Sequence, residues 1–179
     1  MKSFKTFVTE EGEGRIYLDM DGVLADFIDG VLVHFKKDRK DRTITKEFSD
    51  MATEIQDKSR AGELPGFWEN LSVLSDGKKL YRYVETLNKD IWVLSSCSRD
   101  MKYCFREKHK WIKKHFPKIA SEKVILVASA KHKSRYAKPG DILIDDFKNN
   151  IKRWEQAGGT GIWHNGDASK TMRELKKVL

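Results

Sequence analysis

The sequence predicts an α/β fold: a doubly wound parallel sheet with a small helical cap inserted after its first strand. Three observations carry this. Short apolar runs at residues 16–18, 91–95, 124–128, 142–146 and 161–163 alternate with segments whose apolar residues recur at helical spacing. The runs lack the apolar/polar alternation of a half-exposed strand and read as strands buried on both faces. Between the first run and the next strand, residues 27–74 hold more helix than a single right-handed crossover uses. The expected division is a core of residues 1–26 and 75–179 and a cap of residues 27–74.

The chain has 179 residues, enough for one core plus a small insert but not for two full domains. No apolar run is long enough to span a membrane, and the first 14 residues lack the apolar centre of a signal peptide, so a soluble, cytoplasmic protein is expected. Cys97 and Cys104 form neither a CxxC pair nor a zinc-like spacing and read as reduced thiols. His34, His109, His115, His132 and His164 show no metal-ligand grouping and read as surface or loop residues. The formal net charge of +8 favours anionic ligands, phosphates or nucleic acid, without choosing between them.

In chain order, residues 1–14 read as an edge hairpin or loose lead-in. After the first strand, Phe27, Val31 and Phe35 share one helical face, and the mixed charges of residues 36–42 read as a solvated turn. Phe48, Met51, Ala52 and Ile55 give a second amphipathic helix, ended by Gly62, Pro65 and Gly66. Phe67 and Trp68 then stand side by side in a loop, either plugging the cap or lining a ligand pocket. Ser75-Asp76-Gly77 starts a helix with Leu80, Val84 and Leu87 on one face. After the second strand comes a helix with Tyr103, Cys104, Trp111 and Ile112 inside and its lysines outside. Residues 129–141 read as a basic loop, Ile151, Trp154 and Ala157 as a helix stopped by Gly158-Gly159, and Met172, Leu175 and Leu179 as a final helix.

The chemistry gathers at the strand ends. The first strand runs into Asp19 and Asp21, with Gly22 allowing a tight exit. Two carboxylates so close repel unless a cation separates them or one is protonated, which suits a divalent metal or a split of acid and base roles. Ser95 and Ser96 follow the second strand, Lys131 or Lys133 the third, and Asp145 and Asp146 the fourth. In an open parallel sheet, ligands bind outside these carboxyl ends, so all four groups are expected in one site.

The ordered set DxD, Ser, Lys, DD resembles the haloacid dehalogenase superfamily of phosphotransferases over nearly the whole of residues 15–163, and implies its Rossmann-like core. More narrowly, DMDGVLADF, PGFWENLSVLSDG, KYCFREKHKWIKKHF and LIDD resemble the 5′-nucleotidase branch, the 5′(3′)-deoxyribonucleotidases. The resemblance implies a phosphatase acting on nucleoside monophosphates, with deoxyribonucleotides as candidate preferred substrates. Asp19 would be the nucleophile and Asp21 the general acid and base, with Ser95, Ser96 and Lys133 or Lys131 on the phosphate. Mg²⁺ would be held by Asp19, Asp21 through its carbonyl, and one of the pair Asp145 and Asp146. It also implies a base pocket bordered by Phe67 and Trp68, with Asp26 and Phe27 as further wall candidates. For Asp26, a place in the first turn of a helix is the other reading. Cys97 stands where a proline is usual in that family. The alternatives are a polynucleotide 3′-phosphatase, for which the net charge speaks, and a catalytically silent binding protein of the same fold.

Overall fold

The computed structural model describes residues 14–38 and 46–179. The expected lead-in at 1–13 and most of the charged turn at 36–42 therefore lie outside the described residues. Five strands form one all-parallel sheet in the order β3-β2-β1-β4-β5: β1 (Ile16–Leu18), β2 (Ile91–Ser96), β3 (Val124–Val127), β4 (Ile142–Asp145) and β5 (Thr160–Trp163). The chain builds outward from β1 through β2 to β3, then returns to the other side of β1 for β4 and β5. The reversal of strand order falls between β1 and β4, where such sheets open a crevice.

The apolar runs lack alternation because both faces of the sheet are covered. On one face Ile16, Leu18, Val93 and Ile144 pack with Leu80 and Val84 of α3 (Ser75–Glu85), Trp111 of α4 (Cys104–His115) and Leu175 of α6 (Ala168–Val178). On the other, Tyr17, Leu94 and Leu143 meet Ile151 and Trp154 of α5 (Lys148–Gln156), with the Tyr17 and Trp154 rings edge-on at 5.2 Å.

The helical insertion holds α1 (Phe27–His34) and α2 (Lys46–Ala61), which share a separate apolar cluster of Val31, Leu32, Phe48, Ile55 and Leu64. Its two connections to the core run side by side. Ala25 bridges Val73 in antiparallel fashion, the Asp26 N–H donates to Ser72 O at 2.8 Å, and the Leu74 N–H to Leu24 O at 2.9 Å. Among the described residues, no helix is long and apolar enough to cross a membrane.

Two readings are corrected. Residues 129–141 are not simply a loop, since Ala130–Tyr136 coils into a 3-10 helix that buries Lys133 and leaves Lys131 exposed. His164 is not a surface residue: it is buried after β5, with Nδ1 2.8 Å from Thr171 Oγ1.

The start of α3 backs directly onto the turn that follows β1. A Cβ at Gly77 would lie 2.4 Å from Val23 O and 2.9 Å from Leu24 Cα, both backbone atoms that cannot swing away. Gly77→Ala is therefore expected to destabilise the protein by about 1–3 kcal/mol, the usual range for overpacking. Urea denaturation checks this, and an unchanged midpoint would refute the close packing.

Candidate active site

The turn after β1 sets the site. The Asp19 N–H donates to Ile144 O at 3.0 Å, extending the β1–β4 pairing by one residue and carrying its carboxylate just past the sheet edge. The chain then coils, with the N–H groups of Leu24 and Ala25 both donating to Met20 O. Gly22 adopts φ +79°, and a Cβ there would fall 2.1 Å from Asp146 Oδ2, so both conformation and space require glycine.

At the switch point the carboxylates crowd. Asp19, Asp145 and Asp146 place oxygens within 4.8 Å of one another. Asp145 is fully buried and saturated: Oδ1 accepts from the Phe147 N–H at 2.8 Å, Oδ2 from Lys133 Nζ at 2.6 Å, and both oxygens lie 3.0 Å from Asn150 Nδ2. Lys133 Nζ also lies 2.7 Å from Asp19 Oδ2, so one buried ammonium joins the ends of β1 and β4. Desolvation works against the charge on Lys133, but Asp19 and Asp145 outweigh it and hold it protonated well above the ordinary lysine range. Burial and the neighbouring charges of Asp19 and Asp145 push Asp146 up to about 8. Of the two residues at the end of β4, Asp145 is thus spoken for within the protein, while Asp146 is the carboxylate lacking a counter-charge.

The residues missed at the sequence level come from α4. Lys108, one of the lysines expected on the outer face of α4, is fully buried. Its ammonium makes a close ion pair with Asp21 Oδ2 and donates to Ser95 Oγ at 3.1 Å and Ser96 O at 2.8 Å, and it lies 4.5 Å from the centre of the Trp68 ring. Burial raises the Asp21 carboxyl; Lys108 draws it back, Asp19 pushes it up again, and the result stays above the usual carboxylate range. Glu107, also buried, accepts from the backbone N–H groups of Gly66 at 2.6 Å and Trp68 at 3.1 Å, pinning the aromatic loop to α4. The signal for Lys108 was its register, because Cys104, Lys108, Trp111 and Ile112 share one helical stripe. Asn150 likewise sits on the stripe of Ile151 and Trp154.

Among the substrate-wall candidates, Asp26 serves as the N-cap of α1, accepting from the Asp29 N–H at 3.0 Å, and lines neither cavity at the site. Phe27 is half-buried and lines both the cavity in which Asp19, Asp21, Lys133 and Asp146 meet and the larger one beside it. Trp68 lines the larger cavity but is only 4% exposed, stacked on Phe27 at 5.6 Å and 10°. Its Nε1 is buried without a hydrogen-bond partner. Phe67 turns toward the cap and lines a separate depression with Gly30 and His34. Ser96 borders both cavities at the site, whereas Ser95 is fully buried behind them. Cys97 and Cys104 are buried free thiols, and a hydrogen bond from Cys104 lowers the Cys97 thiol.

The oxygen-only donors suit a hard divalent cation such as Mg²⁺. Asp21 Oδ1, buried without a partner, and the raised Asp146 carboxyl both mark a place short of positive charge.

Comparison with known proteins agrees with this geometry. Residues 14–171 match the family model described as 5′ nucleotidase, deoxy (pyrimidine), cytosolic type C protein. The mitochondrial 5′(3′)-deoxyribonucleotidase of Mus musculus is 28% identical over 145 residues, which cover 74% of this chain and 64% of the relative, so the chain spans less than two thirds of that protein. The cytosolic-type 5′(3′)-deoxyribonucleotidase of Homo sapiens is 26% identical over 155 residues, 79% of this chain and 74% of the relative. A hydrolase from Streptococcus pneumoniae TIGR4 shares the fold with a TM-score of 0.54 at 14% identity, covering 92% of this chain and 98% of its own.

Because Lys108 and Asp21 balance each other in a desolvated setting, Lys108→Met is expected to destabilise the protein by about 2–4 kcal/mol, near the range for breaking a buried pair. Adding Asp21→Asn should restore part of that loss, since the stranded charge is removed too. Strictly additive losses in urea denaturation would show that the pair contributes no coupling.

Proposed function

Since the chain belongs to the 5′-nucleotidase, deoxy (pyrimidine), cytosolic type C family, with the haloacid dehalogenase fold, we propose that it is a Mg²⁺-dependent phosphatase of nucleoside monophosphates, deoxyribonucleotides foremost. The observation that carries the reading is the cavity of about 220 Å³ in which Asp19, Asp21, Ser96, Lys133 and Asp146 meet at the switch point. The deoxyribonucleotide preference is taken from the names of the two relatives.

In this reading Asp19 attacks phosphorus in line, forming an aspartyl-phosphate and releasing the nucleoside. Asp21, whose carboxyl stands above its usual range, gives its proton to the departing oxygen and then accepts one from the water that hydrolyses the intermediate. Lys108 holds that carboxyl in place and is itself fixed by Ser95 and the Ser96 carbonyl. Lys133 and Ser96 neutralise and orient the phosphoryl oxygens, since positioning and charge stabilisation supply most of the rate in such transfers. Mg²⁺ bound by Asp19, Asp146 and the Asp21 carbonyl would screen the anionic nucleophile from the anionic substrate. Asp145 fits a supporting role, fixing Lys133 and the start of α5.

The division into a core of residues 1–26 and 75–179 and a cap of residues 27–74 belongs to the same proposal. The separate apolar cluster of α1 and α2 and their paired connections support it. Phe27, rather than Phe67 or the face of Trp68, is the ring offered to the base, with Trp68 backing it and leaving its indole N–H free to donate.

Phosphate release from a panel of nucleoside 5′- and 3′-monophosphates should require Mg²⁺, and Asp19→Asn should lower kcat by a factor on the order of 10⁴ or more. Activity that survives this substitution would dismiss Asp19 as the nucleophile. Phe27→Ala should raise KM about fivefold or more with kcat nearly kept, in line with the worth of one stacked base. An unchanged KM would remove Phe27 from the pocket.

A further inference from the structure

A mononucleotide does not account for all the space at this site. The phosphate-side cavity shares Asp21, Phe27, Ser96 and Ala130 with a second cavity of about 490 Å³, bordered by Trp68, Gln56 and Arg60 under the cap. That cavity in turn shares Cys97, Ser98, Met101 and Ala128 with a third and larger one of about 750 Å³, beyond the carboxyl end of the edge strand β3. The three form one stepped trough. A scissile phosphate occupies the first step and its nucleoside the second, which leaves the largest step empty.

The chemistry of the third cavity is specific. Arg99, in the β2–α4 loop, and Arg135 and His132, on the 3-10 helix, converge on it. Neither guanidinium has an ion-pair or hydrogen-bond partner among the described residues, whereas Arg60, in the neighbouring cavity, pairs with Asp57 and Asp100. Phe105 and Tyr136 line the same cavity, 60% and 37% exposed. Free guanidiniums beside exposed aromatic rings make a surface for a phosphodiester and a base, because arginine grips phosphate in a bidentate fork and every base has a face to stack. Desolvation first, and then the charges of Arg135, Lys131 and Arg99, hold the His132 imidazole below its ordinary value.

We propose that this third cavity is a subsite for a second nucleotide unit, so that the substrate class includes 5′-phosphorylated dinucleotides and short oligonucleotides. The inference rests on the phosphatase reading above and deepens it. The terminal phosphate enters between Asp19 and Lys133, the first base lies against Phe27, and the internucleotide phosphate meets Arg99 and Arg135. The first two turns of α4 and the 3-10 helix, which carry Phe105, His132 and Arg135 to the subsite, also present Lys108 and Lys133 to the reacting end, so both regions are held by the same two segments.

The test compares kcat/KM for a 5′-phosphorylated thymidine dinucleotide and thymidine 5′-monophosphate, at low and high salt, in the unmodified protein and in Arg99→Ala/Arg135→Ala. The dinucleotide is expected to be preferred by about tenfold, the worth of one or two charge-assisted hydrogen bonds. Its advantage should shrink with salt, because an extra phosphate is being neutralised. The double variant should lower the dinucleotide to the level of the monophosphate, with the monophosphate value unchanged. Equal kcat/KM for the two substrates in the unmodified protein, or a preference that persists in the variant, would overturn the inference and leave the monophosphatase reading standing. Stimulation of monophosphate hydrolysis by the unphosphorylated dinucleotide would mark an effector site and overturn it as well. If neither compound is hydrolysed, the phosphatase reading falls, and equilibrium dialysis of the phosphorylated dinucleotide decides the subsite: about tenfold weaker binding to the double variant supports it, and equal binding refutes it.

Discussion

Everything at this site follows from one electrostatic constraint: a parallel sheet that changes direction between β1 and β4 delivers several carboxylates to a single edge. Such a cluster is stable only if the fold also brings cations to it. Two buried lysines do so from opposite flanks. Lys133 arrives from the 3-10 helix after β3 and ties Asp19 to Asp145, and Lys108 arrives from α4 and holds Asp21. Neither ammonium could be buried without its partners, and neither carboxylate pair could stand so close without an ammonium. The positions of α4 and of the segment after β3 are therefore tied to the reacting groups as well as to the apolar core.

This constraint also explains which parts of the molecule were legible in the sequence. Parallel strands covered on both faces must be apolar throughout, so their ends are abrupt and the residues just beyond them stand out. Asp19, Asp21, Ser95, Asp145 and Asp146 were found in that way, and the structure places them around the ends of β1, β2 and β4. Lys108 escapes because a lysine on an amphipathic helix is solvated by default, and this one departs from the default through partners outside its helix, the acidic one 87 positions away. Its place on the stripe of Cys104 and Trp111 was a readable sign that was outweighed by the many lysines around it. Spacing favours Lys133 over Lys131, but the length of the stretch after β3 leaves both open in the sequence; the 3-10 coil, which comes from tertiary packing, buries Lys133 and leaves Lys131 exposed. Asp26 shows the reverse case, where a residue beside a motif serves the local helix: its carboxylate caps α1.

The insertion is coupled to the reacting end through α4. Glu107 fixes the backbone of Gly66 and Trp68, while its neighbour Lys108 carries Asp21 and lies against the Trp68 ring. Adjacent helical residues point about 100° apart, so one turn of α4 addresses the aromatic loop and the acidic turn together. Phe27 completes the column, stacked on Trp68 and close in sequence to Asp21. A shift of the aromatic loop therefore bears on the residue that orients Asp21, and the surface that would receive a base is mechanically continuous with the group that would protonate the leaving oxygen.

The balance of charge gives the strongest physical reason for a metal at this edge. Four carboxylates, Asp19, Asp21, Asp145 and Asp146, face two buried ammoniums. The protein alone can relieve the difference only by protonation, and the carboxyl of Asp146 is pushed up to about 8, by desolvation first and then by Asp19 and Asp145. A phosphate monoester would add further negative charge to the same space. A third lysine would be a poor remedy, since one ammonium carries half the charge of a divalent ion and would fill the space the phosphate needs. A small hard dication held by oxygen donors supplies the missing charge in the least volume and leaves positions for substrate oxygens. Gly22 fits the same logic: its missing side chain leaves the room that Asp146 occupies, and any larger residue would displace that carboxylate.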